Sequence, residues 1–327
     1  MNKKAAGASG EDRISDVPDG VLHHVLSLLP ADQAVQTSVL ARRWRHLWKG
    51  MPALRLVGPK TRFATAQDFD KFVNRLIAAR GIYCLPQNLD VHHVCMEKDS
   101  VDFSSCRVLE ELKMKECGLW VRNMSFPSLK RLFLTECNFP VDRRVSISAP
   151  GIVSLRLLQC GGKTPLLESM PLLQTASIDL SRYECKDKCG GCTDESCEGC
   201  HGYPVGSYRS VLLNVLSNAI NLELKDQPEV YIYKRDLECC PIFGRLKTLL
   251  LDMWCRHVDM HALVRILQHT PILEKLTLQL RSDKEVSIEC EEKLRVKDKV
   301  RQIVKILNRN GILKEQITFK KLPRPEG

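Results

Sequence analysis

Two C-x-x-C pairs, Cys189/Cys192 and Cys197/Cys200, stand four residues apart in the segment YECKDKCGGCTDESCEGCHGY (183–203). Four thiolates at this spacing are a candidate tetrahedral zinc set, with Cys185 and His201 in reserve. Gly190, Gly191 and Gly199 permit the tight turns that two such knuckles require. A zinc held by all four thiolates is structural, because no coordination position stays open for catalysis. The gap between the pairs is shorter than the roughly fifteen or more residues of common zinc ribbons. The other reading, a polar acidic insertion with free thiols and no metal, therefore stays open. Asp187, Asp194, Glu195 and Glu198 lie among the cysteines and would repel phosphate, which argues against a knuckle that grips nucleic acid.

Other candidate chemistry is sparse. His23-His24 and His92-His93 are adjacent pairs whose rings point to different sides, and neither has a carboxylate pattern nearby. The chain lacks a phosphate-binding glycine loop, a metallohydrolase signature and a nucleophile elbow. Nothing marks one of the 15 cysteines as a nucleophile, so an autonomous enzyme is not expected. An apolar share of 44% with 27% charged residues is that of a folded domain. The opening MNKKAAGASGEDR has lysines but no apolar core, so it does not read as a secretory signal. No run reaches the apolar length of a membrane span. The expected location is the cytosol or nucleus, where thiols stay reduced and no cofactor beyond the possible zinc is implied. The net charge of +10 is spread along the whole chain, which makes nucleic acid an improbable partner.

The stretch LARRWRHLW (40–48) tests that last point, since it mixes tryptophan with arginine. Leu40, Trp44, Leu47 and Trp48 fall on one face of a helix starting near Ala41, while Arg42, Arg43, Arg45 and His46 fall elsewhere. The periodicity thus predicts a core stripe with a solvated charged face, not aromatics exposed for base stacking. Upstream, Ser15 and Asp16 can cap a helix whose apolar positions are Val21, Leu22, Val25, Leu28 and Leu29, ended by Pro30. A second helix is expected from Ala31 to Leu40, with Ala34, Val35 and Val39 apolar. Three short helices bury too little surface to stand alone, so the pattern predicts docking onto a partner.

DRISDVPDGVLHHVLSLLPADQAVQTSVLARRWRHLW resembles the plant F-box along its whole length. The matching positions include Asp12-Arg13-Ile14-Ser15, Pro18-Asp19, Leu22, Val25-Leu26, Leu29-Pro30, Ala34-Val35, Thr37-Ser38-Val39-Leu40, Arg43-Trp44 and Leu47-Trp48. Val17 stands where leucine is usual. Gly20 replaces a usual acidic residue, and glycine there costs up to roughly 1 kcal/mol relative to alanine. The resemblance implies that residues 12–50 bind the Skp adaptor of a cullin-RING ubiquitin ligase, and the rest of the chain a protein substrate. Pro18, Leu22, Val25, Leu29, Pro30, Val35, Leu40 and Trp44 are then the expected adaptor contact or packing positions.

Beyond a short apolar stretch ALRLV (53–57), a cap helix is expected over 65–81. From about residue 85 the chain repeats. Leu109/Leu112/Met114/Cys117, Leu129/Leu132/Leu134/Cys137 and Ile152/Leu155/Leu157/Cys160 fit L-x-x-L-x-L-x-x-C, a leucine-rich-repeat pattern. Weaker copies begin at Leu173, Ala219, Leu246 and Leu273. Each copy predicts a short strand with its leucines inward and its cysteine supporting the bend that follows. The segment from 240 to the C-terminus resembles the tail of plant F-box proteins that join leucine-rich repeats to an FBD region. A helix over Met260–His269, a helix face of Val300, Ile303, Val304 and Leu307 closed by Asn310-Gly311, and a last strand in EQITFKKL are expected there.

The expected organisation is a disordered N-terminus (1–11), an F-box (12–50), a linker with a cap helix (51–84), a repeat arc (85–285) and an FBD-like tail (286–327). The fold class is α/β (α+β): a three-helix module followed by an irregular leucine-rich-repeat solenoid. Two further readings compete with the ligase receptor. One is a nucleic-acid binder using the basic surface and a zinc loop; the other is an F-box scaffold that serves no ligase.

Overall fold

The computed structural model describes residues 17–58, 71–72, 75–76, 86–96, 107–181, 210–226, 231–254, 260–280, 301, 303–305, 307–308, 315 and 317–321. The chain divides into two compact units, Met1–His92 and His93–Gly327.

The first unit opens with helix α1 (Asp19–Ser27) and helix α2 (Ala31–Gln36), each starting directly after a proline. Pro18 and Pro30 suit that place because their fixed φ leads into a helix and their carbonyls accept the first helical bonds, from Leu22 and Ala34. Neither helix has a side-chain cap; Asp19 and Asp32 instead put negative charge in the first turns. Ser15 and Asp16, the expected caps, lie outside the described residues. The third segment differs from the single helix expected. Thr37–Val39, Arg42–Arg45 and Leu47–Gly50 are three short 3-10 turns, the last two meeting at a kink at His46. Trp44, Leu47 and Trp48 are buried as the periodicity implied, but Leu40 is exposed, because the chain turns there before the stripe begins.

ALRLV is not linker: it forms strand β1 (Ala53–Val57), paired in parallel with β2 (Asn88–His92). Pro30 bridges to Arg55, tying the helical module to this pair. Of the helix expected over 65–81, Lys71, Phe72, Arg75 and Leu76 are described; all are helical and Leu76 is buried.

The second unit contains β3 (Cys95–Met96), β4 (Glu111–Lys115), β5 (Gly118–Leu119), β6 (Asn123–Ser125), β7 (Arg131–Thr135), β8 (Ser146–Ser148) and β9 (Ser154–Leu158). After these come β10 (Leu166–Leu167), β11 (Thr175–Asp179), β12 (Asn221–Lys225), β13 (Thr248–Asp252), β14 (Lys275–Leu280) and β15 (Ile317–Lys321). Strands β4, β7, β9, β11, β12, β13, β14 and β15 pair in parallel in that order, one strand per repeat. The repeat motif explains the register. Leu112, Leu132, Leu155, Ala176, Leu222, Leu249 and Leu276 lie directly opposite one another, and all are buried. Each strand alone would expose this row; stacking buries it. Behind the ladder, β6, β8 and β10 form a second parallel sheet and β3 pairs with β5. In later repeats helices α3 (Leu213–Leu216), α4 (Tyr231–Glu238) and α5 (His261–Gln268) make the return.

The bend after each strand has a stereotyped form. Glu116, Glu136, Gln159, Asp226 and Met253, each the residue following a ladder strand, have φ between 51° and 97°. In the first three repeats a buried cysteine comes next. Its Sγ donates to the carbonyl two residues back: Cys117 to Lys115 (3.3 Å), Cys137 to Thr135 (3.5 Å) and Cys160 to Leu158 (3.7 Å). Cys137 and Cys160 also reach the preceding repeat, at Met114 O (3.4 Å) and Leu134 O (3.7 Å). A hydrogen bond with Cys117, and burial, push the Cys137 thiol far up. These thiols are scaffold, as the repeat phase indicated. At the same phase of a later repeat Trp254 takes the place of cysteine, buried with its ring 5.5 Å from that of Tyr233.

Asp236 on α4 fixes the start of α3. Its carboxylate accepts hydrogen bonds from the amides of Val211 (3.1 Å), Leu212 (2.8 Å) and Leu213 (2.8 Å) and from the Ser210 hydroxyl (2.9 Å). In the tail, Ile303 and Leu307 are helical and buried, and EQITFKKL supplies β15. Val300, Asn310 and Gly311 lie outside the described residues.

Candidate docking surfaces

The helical module carries apolar side chains on two sides. On α1, Leu22 and Leu26 face the unit's interior, whereas Val21, Val25 and Leu28, at spacings of four and three, face solvent. The single face expected from sequence is therefore two, and Leu26, left out of that face, belongs to the core. The turn after α2 exposes Val39 (85%) and Leu40 (69%). A module this small cannot hide all its apolar residues.

The eight expected adaptor positions divide accordingly. Leu22 and Trp44 are buried and hold the module together. Pro18, Val25 and Leu40 are exposed, and Leu29, Pro30 and Val35 are half-buried. Val21, Leu28 and Val39, apolar helix positions outside that set of eight, are exposed alongside them. Arg43 is another addition. Its guanidinium donates to Asp19 (Nε to Oδ1 3.0 Å) and to the Val17 carbonyl (2.6 Å), so it locks the third segment to the start of α1 instead of standing in solvent. Gly50 also matters for this packing: a Cβ there would come within 2.8 Å of the His23 ring. Gly20 is different, since a Cβ there meets nothing within 4 Å.

The second unit presents the outward side chains of its ladder. One row, fixed by register, runs Lys113, Phe133, Arg156, Ser177, Glu223, Leu250, Thr277. The Phe133 ring lies under the Lys113 ammonium (5.7 Å to its centroid) and the Arg156 guanidinium (5.4 Å). Glu111 accepts from both Lys113 (2.7 Å) and Arg131 (2.5 Å). Burial pushes the Glu111 carboxyl up, but hydrogen bonds and charge from Lys113 and Arg131 outweigh it and hold the group below its ordinary value. Farther along, hydroxyls join neighbouring strands: Thr175 to Ser154 (2.8 Å), Ser177 to Glu223 (2.9 Å) and Thr248 to Asn221 (2.6 Å).

The remaining candidates are quickly placed. Cys189, Cys192, Cys197 and Cys200 lie outside the described residues. Among the described residues no group of three or more His, Cys, Asp or Glu side chains is arranged to hold a metal ion. His92 and His93, expected to lack carboxylates, each have one: His92 Nε2 lies 2.8 Å from Asp90 and His93 Nδ1 lies 3.0 Å from Glu116. The carboxylates come from the same strand and from the next bend, neither of which an adjacent-pair pattern reveals. Burial pushes the Cys240 thiol up to about 11, away from thiolate chemistry. No described helix is long and apolar enough to cross a membrane.

Comparison with known proteins agrees with this geometry. The F-box domain family matches residues 14–56. Over 195 residues the chain is 28% identical to an F-box/LRR-repeat protein of Arabidopsis thaliana, covering 54% of this chain and 42% of that protein. It is 26% identical over 342 residues to the MEIOTIC F-BOX protein MOF of Oryza sativa subsp. japonica, covering 82% of this chain and 71% of the other. An F-box/FBD/LRR-repeat protein of Arabidopsis thaliana is 29% identical over 202 residues, covering 50% and 39%. The chain thus spans less than half the length of these two Arabidopsis relatives.

Proposed function

Starting from an F-box followed by leucine-rich repeats of the plant type, we propose that this chain is the substrate-recognition subunit of a Skp–cullin–F-box ubiquitin ligase. The helical module within residues 12–50 docks on the Skp adaptor, and through it on a cullin. The ladder of the second unit holds the protein to be ubiquitinated. Ubiquitin transfer belongs to other subunits, so this chain contributes proximity and orientation and needs no catalytic group of its own. The cytosol and nucleus, where such ligases meet reduced proteins, are the compartments this reading implies.

The observation that carries the proposal is the set of exposed apolar side chains on an F-box whose interior is already filled. Val21, Val25, Leu28, Val39 and Leu40 cost solubility in isolation and repay it only when covered. Pro18, Leu29, Pro30 and Val35 border them in sequence and join the contact, whereas Leu22 and Trp44 serve from beneath. Co-purification of the full chain with a plant Skp adaptor tests the reading. It expects a stoichiometric complex that a cullin N-terminal domain then joins. Soluble, folded chain that stays apart from the adaptor would overturn it.

A further inference from the structure

Resting on that reading, we propose that the substrate is held through an acidic, extended segment, read at its centre by Phe133 and the two cations over it. The outward positions of β4, β7 and β9 carry Lys113, Lys115, Arg131 and Arg156 against one carboxylate, Glu111. The outward positions of β11 to β14 carry fewer cations, Lys225 and Lys275 against Glu223, while Asp179 and Asp252 are buried. The positive charge is therefore concentrated at one end of the ladder, although lysine and arginine are spread along the sequence.

Within that end the cations are unequally satisfied. Lys113 and Arg131 share the single carboxylate of Glu111, and Lys115 has Glu116 at 3.5 Å. Arg156 is exposed and, among the described residues, has no carboxylate within ion-pair distance; its one close partner is the Phe133 ring. A guanidinium held over an aromatic face keeps its hydrogen-bond fork free for an oxyanion while losing little side-chain freedom on binding. Lys113, on the strand on the other side, also lies over the ring but is paired with Glu111. Phe133, on the strand between them, holds both cations in place. Strands about 4.8 Å apart place the two cations about 10 Å from one another, close to the separation of alternate acidic residues on an extended chain, about 7 Å, extended by their side chains. The shared chemistry is an oxyanion, from glutamate or aspartate or from a phosphorylated serine. Base stacking on Phe133 is disfavoured because the ring already carries two of the protein's own cations.

The test titrates the full chain with a fluorescein-labelled peptide of about ten residues bearing alternate glutamates, which spans ~33 Å when extended. Parallel titrations use the same peptide with glutamine for glutamate, with phosphoserine for glutamate, and a single-stranded RNA. The glutamate or phosphoserine peptide is expected to bind, the glutamine peptide at least about tenfold more weakly, with affinity falling as salt rises. Arg156→Glu, an exposed position, should leave the unfolding midpoint unchanged, weaken the acidic peptides at least about tenfold and leave adaptor binding intact. Phe133→Leu should weaken them to a smaller extent. Equal binding of the glutamate and glutamine peptides, no binding of either acidic peptide, or tighter RNA binding lost in Arg156→Glu would each overturn the proposal. Adaptor binding on the same preparations separates its failure from failure of the receptor reading.

Discussion

Replacing Val39 and Leu40 together with aspartate separates the docking role of the helical module from its folding. Full burial of a valine or leucine side chain contributes about 1.5–3 kcal/mol. With 85% and 69% of these residues exposed in the free chain, most of that remains to be gained on docking. The pair should therefore contribute about 2–4 kcal/mol to adaptor binding, or roughly 30- to 1000-fold in Kd. Burying two carboxylates adds a desolvation cost, so this range is a lower bound. Folding should hardly notice, because exposed substitutions usually change stability by about 0.5 kcal/mol or less. Leu26→Ala is the counterpart: a fully buried leucine, whose truncation should cost about 2–5 kcal/mol of stability. Calorimetric titration with the Skp adaptor and urea unfolding of each variant measure both quantities. The reasoning fails if the double aspartate variant unfolds as easily as Leu26→Ala, or if its Kd stays within about threefold of the parent.

Three other outcomes follow from the same geometry. Asp236→Ala strips acceptors from three buried amides and should cost about 3–5 kcal/mol in urea unfolding, whereas Asp236→Asn, which keeps one acceptor oxygen, should cost clearly less. Gly20→Ala, with open space around the new Cβ, should raise stability by up to about 1 kcal/mol without weakening adaptor binding. The Glu111 carboxyl sits below its ordinary value of 4.5, so its ionisation stabilises the folded chain above that pH and the contribution is lost as pH falls through the lower folded value. Denaturation against pH should show this loss in the parent and not in Glu111→Gln.

Much of the ladder was legible because its signal is local and doubled. Leu112 and Met114, or Leu222 and Leu224, alternate with polar neighbours, and the same phase returns in the next repeat, so one strand predicts its neighbours' register. The left-handed residue after each strand was not legible, since Glu116, Gln159 and Met253 are not types that favour that conformation. There the repeat's geometry overrides residue preference. The helical module was misread in an informative way. Periodicity says which residues of α1 share a face, but not whether that face meets core or solvent. Val21, Val25 and Leu28 look interior by composition and are exposed. Leu40 was assigned to the tryptophan stripe because a 3.6-residue period was extended across what are separate 3-10 turns. The cation pair over Phe133 had no sequence signal at all, since its members come from strands 20 and 23 residues apart in the chain.

The most direct measurement is amide hydrogen exchange of the full chain alone and with an excess of the Skp adaptor. The account predicts new protection from Asp19 through Gly50, strongest around α1 and the turn at Val39 and Leu40, with the ladder strands β4 to β14 unchanged. Protection confined to the ladder, or identical exchange with and without the adaptor, would contradict it.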